Sequence, residues 1–170
     1  MKTRTAVVGI LFTGAAVLAN AGPAQAADPN TCFIRSATGN YITAVSGGGR
    51  ETGVMHTDAT TPSTWERFTF VGISSNWYGL KTSTGNYLTA VNGGGLNSIT
   101  VPDVLHTNAT RLQSWEMFQF NPDGTGKYSI RLFDGHYLSA VGGGRRTIGA
   151  FDSDKNQPGA NEKFTLRCNV

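Results

Sequence analysis

Three equivalent positions along the chain place a carboxylate directly after a ring or an amide, next to the start of a predicted strand. The pairs are Trp65-Glu66, Trp115-Glu116 and Asn161-Glu162. An indole face can stack on the C–H face of a sugar ring, and a carboxylate accepts hydrogen bonds from hydroxyl groups. The pattern predicts carbohydrate binding, with stacking lost in the third pair. The structural alternative is that the rings cover the edge of a barrel and the carboxylates bond to turn backbone.

A second set of polar residues aligns when each repeat is counted back from its closing phenylalanine. The aligned positions are His56 with His106 and Asp152, and Asp58 with Asn108 and Asp154. These side chains can donate or accept hydrogen bonds to sugar hydroxyl groups. Together with the first set they would form one shallow pocket in each repeat. The alternative is a solvated strand face with a local Asx turn.

One phrase occurs three times and sets the organisation that must position these residues. Tyr41, Tyr87 and Tyr137 each follow a glycine-containing turn and precede a glycine triplet, and they are 46 and 50 residues apart. The spacing from each tyrosine to the closing phenylalanine is 27, 31 and 27 residues, so the second repeat carries an insertion, placed at residues 96–102. A period of this size indicates that each repeat is one supersecondary unit that cannot bury its apolar face alone.

Short apolar or alternating runs between Gly, Asn and Asp turns predict strands rather than helices. Four strands in each of three repeats, at about 32–72, 77–121 and 127–168, make twelve. Twelve strands, threefold repetition and adjacent ends predict an all-β fold, the β-trefoil, with six strands in a barrel and six in hairpins that close one end. The recurring Tyr or Leu/Ile, Ala and Phe positions are expected to form its core. A seven-stranded sandwich fits neither the number of strands nor the repetition.

The two ends of the chain predict export and a disulfide. Residues 1–26 have a basic start, a short apolar run and a small-residue end, which is typical of a secretory signal peptide. Residues 27–170 would then form a single domain of a secreted, extracellular protein. In an oxidising compartment Cys32 and Cys168 are expected to form a disulfide across 136 residues, which requires adjacent first and last strands. The alternative is two free thiols.

Charge and spacing argue against several classes of function. Without Lys2 and Arg4, 12 basic residues face 11 acidic ones, so the domain lacks the basic stripe of a nucleic-acid-binding protein. No later apolar run is long enough for membrane insertion. His56, His106 and His136 do not have zinc-ligand spacing, so neither a metal nor a cofactor is expected. The absence of a Gly-x-Ser-x-Gly elbow and the separation of the equivalent carboxylates argue against an enzyme.

The phrase Gly-x-Tyr-Leu-x-Ala, followed by a glycine-rich hairpin and Trp-Glu-x-Phe, resembles the fascin-like β-trefoil family. The resemblance covers all three repeats, whereas the Gln-x-Trp motif of ricin-type trefoils does not occur in the sequence. It implies a carbohydrate-binding module like those of secreted bacterial proteins, in which a Trp and a Glu from each repeat bind β-glucans. The matching positions are Trp65, Glu66, Trp115, Glu116 and Glu162, and Asn161 departs from the pattern.

Two functions of different classes remain open. The first is a lectin, a monomer that binds an extracellular polysaccharide or oligosaccharide and gains avidity from its repeats. The second is a protein-binding trefoil such as a protease inhibitor, whose reactive loop would be the insertion at residues 96–102. Arg145-Arg146, at the third glycine-rich hairpin, is interpreted as a solvated tip.

Overall fold

The computed structural model describes residues 30–169 and contains twelve strands in three groups of four. The first repeat has β1 (Thr31–Arg35), β2 (Tyr41–Ala44), β3 (Met55–Ala59) and β4 (Arg67–Ser74). The second has β5 (Trp77–Lys81), β6 (Tyr87–Ala90), β7 (Leu105–Ala109) and β8 (Met117–Pro122). The third has β9 (Tyr128–Arg131), β10 (Tyr137–Ala140), β11 (Phe151–Lys155) and β12 (Lys163–Cys168). The predicted twelve strands are confirmed, and the predicted signal peptide lies outside the described residues.

Six strands form a closed barrel and the other six form three hairpins. Around the barrel, β1 pairs with β4 and β12, β5 pairs with β4 and β8, and β9 pairs with β8 and β12, all antiparallel. The hairpins are β2–β3, β6–β7 and β10–β11, and each has a register shift at the same position. This is the arrangement expected from the threefold repetition, with six strands in each part.

Short 3₁₀ turns lie at both ends of the hairpins. They are Val45–Gly47, Thr64–Glu66, Val91–Gly93, Ser114–Glu116 and Val141–Gly143. The glycine that follows the first, third and fifth turns has positive φ and touches the next repeat. A Cβ at Gly48 would overlap the side chain of Thr82, and one at Gly94 would overlap Asp134. Glycine is therefore needed here, because the backbone of one repeat lies directly against the turn of the next.

The core is built from one set of side chains contributed three times. Phe68, Phe118 and Phe164 are completely buried, and the leucine, isoleucine and alanine positions of the repeated phrase pack around them. The expectation for these residues is confirmed. Of the tyrosines, Tyr41 is buried and Tyr87 and Tyr137 are partly buried; the Arg35 guanidinium is 5.2 Å from the Tyr41 ring centre and the Lys81 ammonium is 4.9 Å from that of Tyr87.

The barrel is closed by a covalent bond as well as by a strand pair. Cys32 of β1 lies directly opposite Cys168 of β12, and the two form a disulfide across 136 residues of chain. The predicted disulfide and the predicted adjacency of the first and last strands are both confirmed. The bond therefore fixes the seam at which the chain enters and leaves the barrel.

The loop between β8 and β9 contains a carboxylate that ties the fold to pH. Asp123 Oδ1 accepts hydrogen bonds from the backbone N–H of Thr125 (2.9 Å) and from its hydroxyl (2.7 Å), and Asp123 Oδ2 lies 3.3 Å from Lys163 Nζ. These donors, the Thr125 backbone first, hold the pKa of Asp123 well below its usual range. The folded protein therefore binds this proton more weakly than the unfolded chain does. The resulting stabilisation is present above about pH 4 and is lost as the pH falls further.

We expect Asp123→Asn to make the melting temperature less sensitive to acid. Between about pH 5 and pH 2, thermal unfolding should show a smaller fall in Tm for this variant than for the wild type, because asparagine cannot take up the proton. Thr125→Val, which removes one donor and keeps the carboxylate, should give an intermediate fall. Equal falls in the wild type and Asp123→Asn would show that this carboxylate does not contribute.

Candidate functional site

Two tryptophans lie half-exposed at equivalent positions of the first two repeats. Trp65 is 48% exposed and Trp115 is 47% exposed, and each lies in the 3₁₀ turn before a barrel strand. The Trp65 ring contacts Gly47, at which a Cβ would be 3.4 Å from Trp65 Cδ1, and Trp115 contacts Gly93 in the same way at 3.1 Å. We call each such pair, Trp65 with Gly47 and Trp115 with Gly93, a tryptophan ledge.

The third repeat has the geometry of a ledge without the ring. Asn161 Oδ1 lies 3.4 Å from the Cβ position of Gly143, which is the place that the tryptophans occupy in the other repeats. This confirms the alignment of Asn161 with Trp65 and Trp115. The structure therefore offers two equivalent aromatic surfaces and one polar surface around the barrel.

The glutamates beside the tryptophans point into the protein. Glu66 and Glu116 are 5% exposed and Glu162 is 6% exposed. Glu66 accepts hydrogen bonds from the Thr43 hydroxyl and from the N–H and hydroxyl of Ser63, each at 2.7 Å. This geometry does not match the prediction that the glutamates accept hydrogen bonds from sugar hydroxyl groups. It matches the alternative, in which the carboxylates bond within the turn.

The other two glutamates make the same kind of bond. Glu116 accepts from the Thr89 hydroxyl at 2.7 Å and from the Gln113 N–H at 2.9 Å. Glu162 accepts from the Gly159 N–H at 2.7 Å. The physical reason is a capping box, in which a residue at the third position of a turn bonds back to the residue before the turn. Glu66 and Glu116 thus hold the turns that carry Trp65 and Trp115 against the strands of Thr43 and Thr89.

The second polar set lies on the third strand of each repeat, as predicted. His56 lies opposite Thr43, His106 opposite Thr89, and Asp152 opposite Ser139, so these three positions are equivalent. The structure does not place this set in one pocket with the tryptophans. Within residues 30–169 no hydrogen bond, ion pair or ring contact joins Trp65 to His56 or Asp58, and Asp58, Asn108 and Asp152 lie at the borders between repeats instead.

These borders are formed by backbone pairing that the sequence analysis did not identify. Thr57 N donates to the Arg146 carbonyl and Arg145 N donates to the Thr57 carbonyl, both at 2.8 Å. The same exchange joins Thr107 to Gly49 and Arg50, and Ser153 to Gly95 and Leu96. The residues at the end of each glycine-rich turn (49–50, 95–96 and 145–146) therefore pair with the third strand of the following repeat, and the third repeat pairs with the first. The recurring buried Thr57, Thr107 and Ser153 were the available signal in the sequence.

The border between the first and second repeats is filled by a polar pair. Asn108 Nδ2 donates to Glu51 Oε1 at 2.5 Å, and Asn86 Nδ2 donates to the Asn108 carbonyl at 3.3 Å. Asn108 was predicted as a sugar ligand, and here its amide is engaged by the preceding repeat.

The border between the second and third repeats is filled by the insertion. The N–H and hydroxyl of Ser98 both donate to Asp152 Oδ1 at 2.8 Å, so the predicted ligand Asp152 is engaged within the chain. Lys155 Nζ lies 2.8 Å from Asp154 Oδ1. Burial opposes the charge on Asp154, but the hydrogen bond and charge of Lys155 together with a bond from Asn97 lower the pKa of Asp154, and the bond to Asp154 raises the pKa of Lys155.

The border between the third and first repeats is open. It contains a recess of about 470 Å³, lined among others by Arg35, Asn40, Asp58, Thr60 and Arg145. Asp58 lies 4.0 Å from His56 Nδ1, and its side chain is 47% exposed. We call this the 3/1 recess. Arg145 and Arg146, interpreted from the sequence as a solvated tip, are both exposed, and the Arg145 backbone also takes part in the pairing between repeats.

A second recess lies at the end of the barrel where the chain enters and leaves. It has a volume of about 370 Å³ and is lined by Phe70, Tyr78, Phe120, Tyr128, Leu166 and the disulfide. The rings of Phe70, Tyr78 and Phe120 pack at centre distances of 5.0–5.9 Å. These side chains were not singled out as a site from the sequence, because they are the barrel positions next to the core.

Among residues 30–169, no group of three or more His, Cys, Asp or Glu side chains is arranged to hold a metal ion. No helix within the same residues is long and apolar enough to cross a membrane.

Comparison with known proteins identifies the architecture. No protein-family model matches the sequence, and no curated protein sequence matches it. Among solved structures, the designed threefold-symmetric protein ThreeFoil is similar with a TM-score of 0.68 and 11% identity, over 81% of this chain and 97% of that chain. The BEL β-trefoil is similar with a TM-score of 0.60 and 16% identity, over 84% and 94%. The chain is a β-trefoil.

A third solved structure with this fold contains a sugar. SeviL bound to the asialo-GM1 saccharide is similar with a TM-score of 0.58 and 13% identity, and the alignment covers 84% of this chain and all of that chain. At these identities the comparisons establish the β-trefoil fold alone. The function has to be argued from the residues that this trefoil exposes.

Proposed function

We propose that this β-trefoil is a secreted, non-enzymatic carbohydrate-binding protein, a lectin whose target is an extracellular polysaccharide of the β-glucan class. The observation that carries the proposal is the pair of tryptophan ledges. Two large aromatic rings are half-exposed at equivalent positions, although a folded chain gains free energy by burying them. A flat exposed ring beside polar groups is the surface on which a sugar ring stacks.

Each ledge has polar groups that can meet the hydroxyl groups of a stacked sugar. Ser83 and Thr84 of the second repeat lie beside Gly47, on the first ledge. Gln113 and Ser114 line a shallow recess of about 180 Å³ together with Trp115. These groups take the place of the buried glutamates in the proposed site. Hydroxyls and amides can both donate and accept, as sugar hydroxyl groups require.

The threefold arrangement suits a polymer better than a single small sugar. Each ledge is open, so a single site would bind weakly. Two sites on one rigid barrel raise the effective concentration of a repeating ligand, and the combined affinity can exceed either single affinity by about 10²–10⁴. The choice of β-glucan rests on the resemblance of the repeated phrase to fascin-like modules, and the sugar in the SeviL structure supports sugar binding by a trefoil surface.

The non-enzymatic part of the proposal rests on the glutamates. A glycosidase needs two carboxylates in one cleft, about 5–10 Å apart, with one of them able to donate a proton. Here the three equivalent carboxylates each bond to donors of their own repeat and are almost completely buried. This arrangement supports a structural role for the three glutamates. In the proposed site, sugar binding is carried by the exposed tryptophan rings.

The proposal predicts that the tryptophans carry retention on the polymer. Trp65→Ala and Trp115→Ala should each lower the apparent affinity for a β-glucan by about a hundredfold, since each removes one of two linked sites. The variant with both substitutions should no longer be retained on the polymer. The measurement is a pull-down against β-1,3-glucan, cellulose, chitin and an α-glucan, with folding checked by circular dichroism.

Two variants control this experiment. Ile148→Ser removes an exposed apolar side chain away from the ledges and should leave retention unchanged. Asn161→Trp builds the missing third ledge and should raise the apparent affinity. Retention of the folded double variant at the wild-type level would show that the rings are not the site. Failure of the wild type to bind any of the polymers would contradict the β-glucan proposal.

A protein-binding function is the second candidate, and one residue favours it. Ile99 in the insertion is 93% exposed. The loop around it is anchored, because Leu96 and Val101 pack against the core and Ser98 bonds to Asp152. An anchored loop with an exposed apolar tip fits a protein partner. Ile99→Ser, tested against the same polymers and against a panel of proteases, separates the two functions, because it should affect only a protein partner.

A further inference from the structure

Arg145 has a backbone conformation that an arginine adopts only at a cost. Its φ is +67°, in the left-handed region that favours glycine. The equivalent positions in the other two repeats are glycines, Gly49 with φ of +78° and Gly95 with φ of +75°. The three residues make the same backbone bond to the following repeat. Glycine therefore suffices for the fold, and the arginine side chain needs another explanation.

The Arg145 side chain is held at the edge of the 3/1 recess. Its Nε donates to Asn40 Oδ1 at 3.3 Å. Asn40 is itself fixed, because its Nδ2 donates to the Asp58 carbonyl at 3.0 Å and its Oδ1 accepts from the Thr38 hydroxyl at 3.2 Å. The exposed Arg145 side chain is thus oriented by the buried amide of Asn40.

A second guanidinium faces the same recess. Arg35 donates through Nε to the Gly39 carbonyl at 2.7 Å, and its guanidinium lies 5.2 Å from the centre of the Tyr41 ring. Both arginines use Nε to fix their position. Within residues 30–169 neither Arg35 nor Arg145 makes a hydrogen bond through its terminal Nη groups or an ion pair with a carboxylate. Their forked donors are therefore available to a ligand.

The charged side chains that line this recess indicate which class of ligand it can bind. Two guanidinium groups and one carboxylate, that of Asp58, line it together with the hydroxyl group of Thr60. The positions that match Asp58 at the other two borders are engaged, Asn108 by its bond to Glu51 and Asp154 by its ion pair with Lys155. A guanidinium binds a carboxylate or sulfate through two parallel hydrogen bonds. A hydroxyl-rich ligand would also be met by Asp58 and Thr60.

We propose that the 3/1 recess binds an anionic sugar residue, one that carries a carboxylate or a sulfate, through the terminal nitrogens of Arg145 and Arg35. Asp58 and Thr60 contact the hydroxyl groups of the same residue. The site is separate from the tryptophan ledges and does not depend on the β-glucan proposal. It gives this trefoil a preference for acidic or mixed polysaccharides that the two ledges alone do not supply.

The test is Arg145→Gly, which restores the residue that the other repeats have. Titrations followed by ¹H–¹⁵N NMR use three probes, namely trigalacturonate, a sulfated galactose trisaccharide and the neutral laminaritriose. We expect the wild type to show shifts at Thr38, Gly39 and Thr60 with at least one acidic probe. Arg145→Gly should bind that probe at least about tenfold more weakly than the wild type. Its melting temperature should equal or exceed that of the wild type. The two acidic probes distinguish carboxylate from sulfate.

The controls separate this site from simple charge and from the ledges. Arg167→Gln removes one exposed positive charge on β12 and should leave the acidic probe's affinity unchanged. Arg145→Asn tolerates the same φ without a charge and should bind as weakly as Arg145→Gly. Wild-type affinity in Arg145→Gly, or no shifts in the recess with either acidic probe, would overturn the proposal. Loss of laminaritriose binding in the Trp65→Ala, Trp115→Ala variant reports on the ledges alone.

Discussion

Removal of the disulfide is expected to lower the free energy of unfolding by about 4–5 kcal/mol, because the bond closes a loop of 136 residues in the unfolded chain. A domain of this size is stable by about 5–15 kcal/mol, so this is a large part of the total. The strand pair between β1 and β12 remains after the bond is removed, and it has to hold the seam of the barrel alone. We expect the protein to stay folded at room temperature with a much lower denaturation midpoint.

The variant for this measurement is Cys32→Ala with Cys168→Ala, because Cys32 is buried and a serine hydroxyl would add a second cost. Urea unfolding followed by tryptophan fluorescence gives the free energy and the slope. The wild type under reducing conditions should show a similar loss, which separates the bond from the substitutions. A loss below about 1 kcal/mol would mean that the unfolded chain is already compact near this seam.

The second large effect is expected at the buried glutamates, and it should follow the number of internal hydrogen bonds. Glu66 accepts three, Glu116 two and Glu162 one. Alanine substitution leaves the buried Thr43 or Thr89 hydroxyl without its partner, at a cost of about 1–3 kcal/mol, whereas the exposed donors of Ser63, Gln113 and Gly159 can bond to water. Glu66→Ala should therefore be the most destabilising, by about 1–3 kcal/mol, followed by Glu116→Ala, and Glu162→Ala, which leaves no buried donor in this set, should cost least.

The same series tests the role of the carboxylates in binding. If the carboxylates only hold their turns, their removal should affect polymer affinity indirectly, by changing the orientation of the neighbouring tryptophan ring. The affinity of each variant is measured well below its melting temperature. Glu162→Ala has no ring beside it and should leave retention unchanged. A fully stable Glu66→Ala protein that no longer binds polymer would instead restore the sequence interpretation, in which the carboxylate contacts the sugar.

The fold could be predicted because its determinants are local and repeated. Glycine-containing turns before Tyr41, Tyr87 and Tyr137 fix hairpins, the alternating runs fix strands, and threefold recurrence restricts how twelve short strands can close. The pairing of Cys32 with Cys168 followed from two cysteines and the expected compartment. Each of these inferences depends on residues close in sequence or on counting.

The candidate site was harder to predict because it depends on contacts between repeats. A Trp-Glu pair looks like a sugar site whether its carboxylate faces solvent or the interior, and only the partners Thr43 and Ser63 decide between the two. The capping-box pattern of Ser63 three residues before Glu66 was readable in advance. The position of Arg145 was not, since its strain is visible only beside Gly49 and Gly95 in the folded chain.

The pairing of each glycine-triplet segment with the following repeat has a consequence for how this protein can diversify. The unit that is copied along the chain and the unit that forms a border site are offset from each other by one third of the ring. A substitution in the third repeat, such as the arginine at position 145, therefore changes the surface of the first repeat. Three nearly identical copies can in this way acquire three different specificities while the strands and core that each copy encodes stay the same.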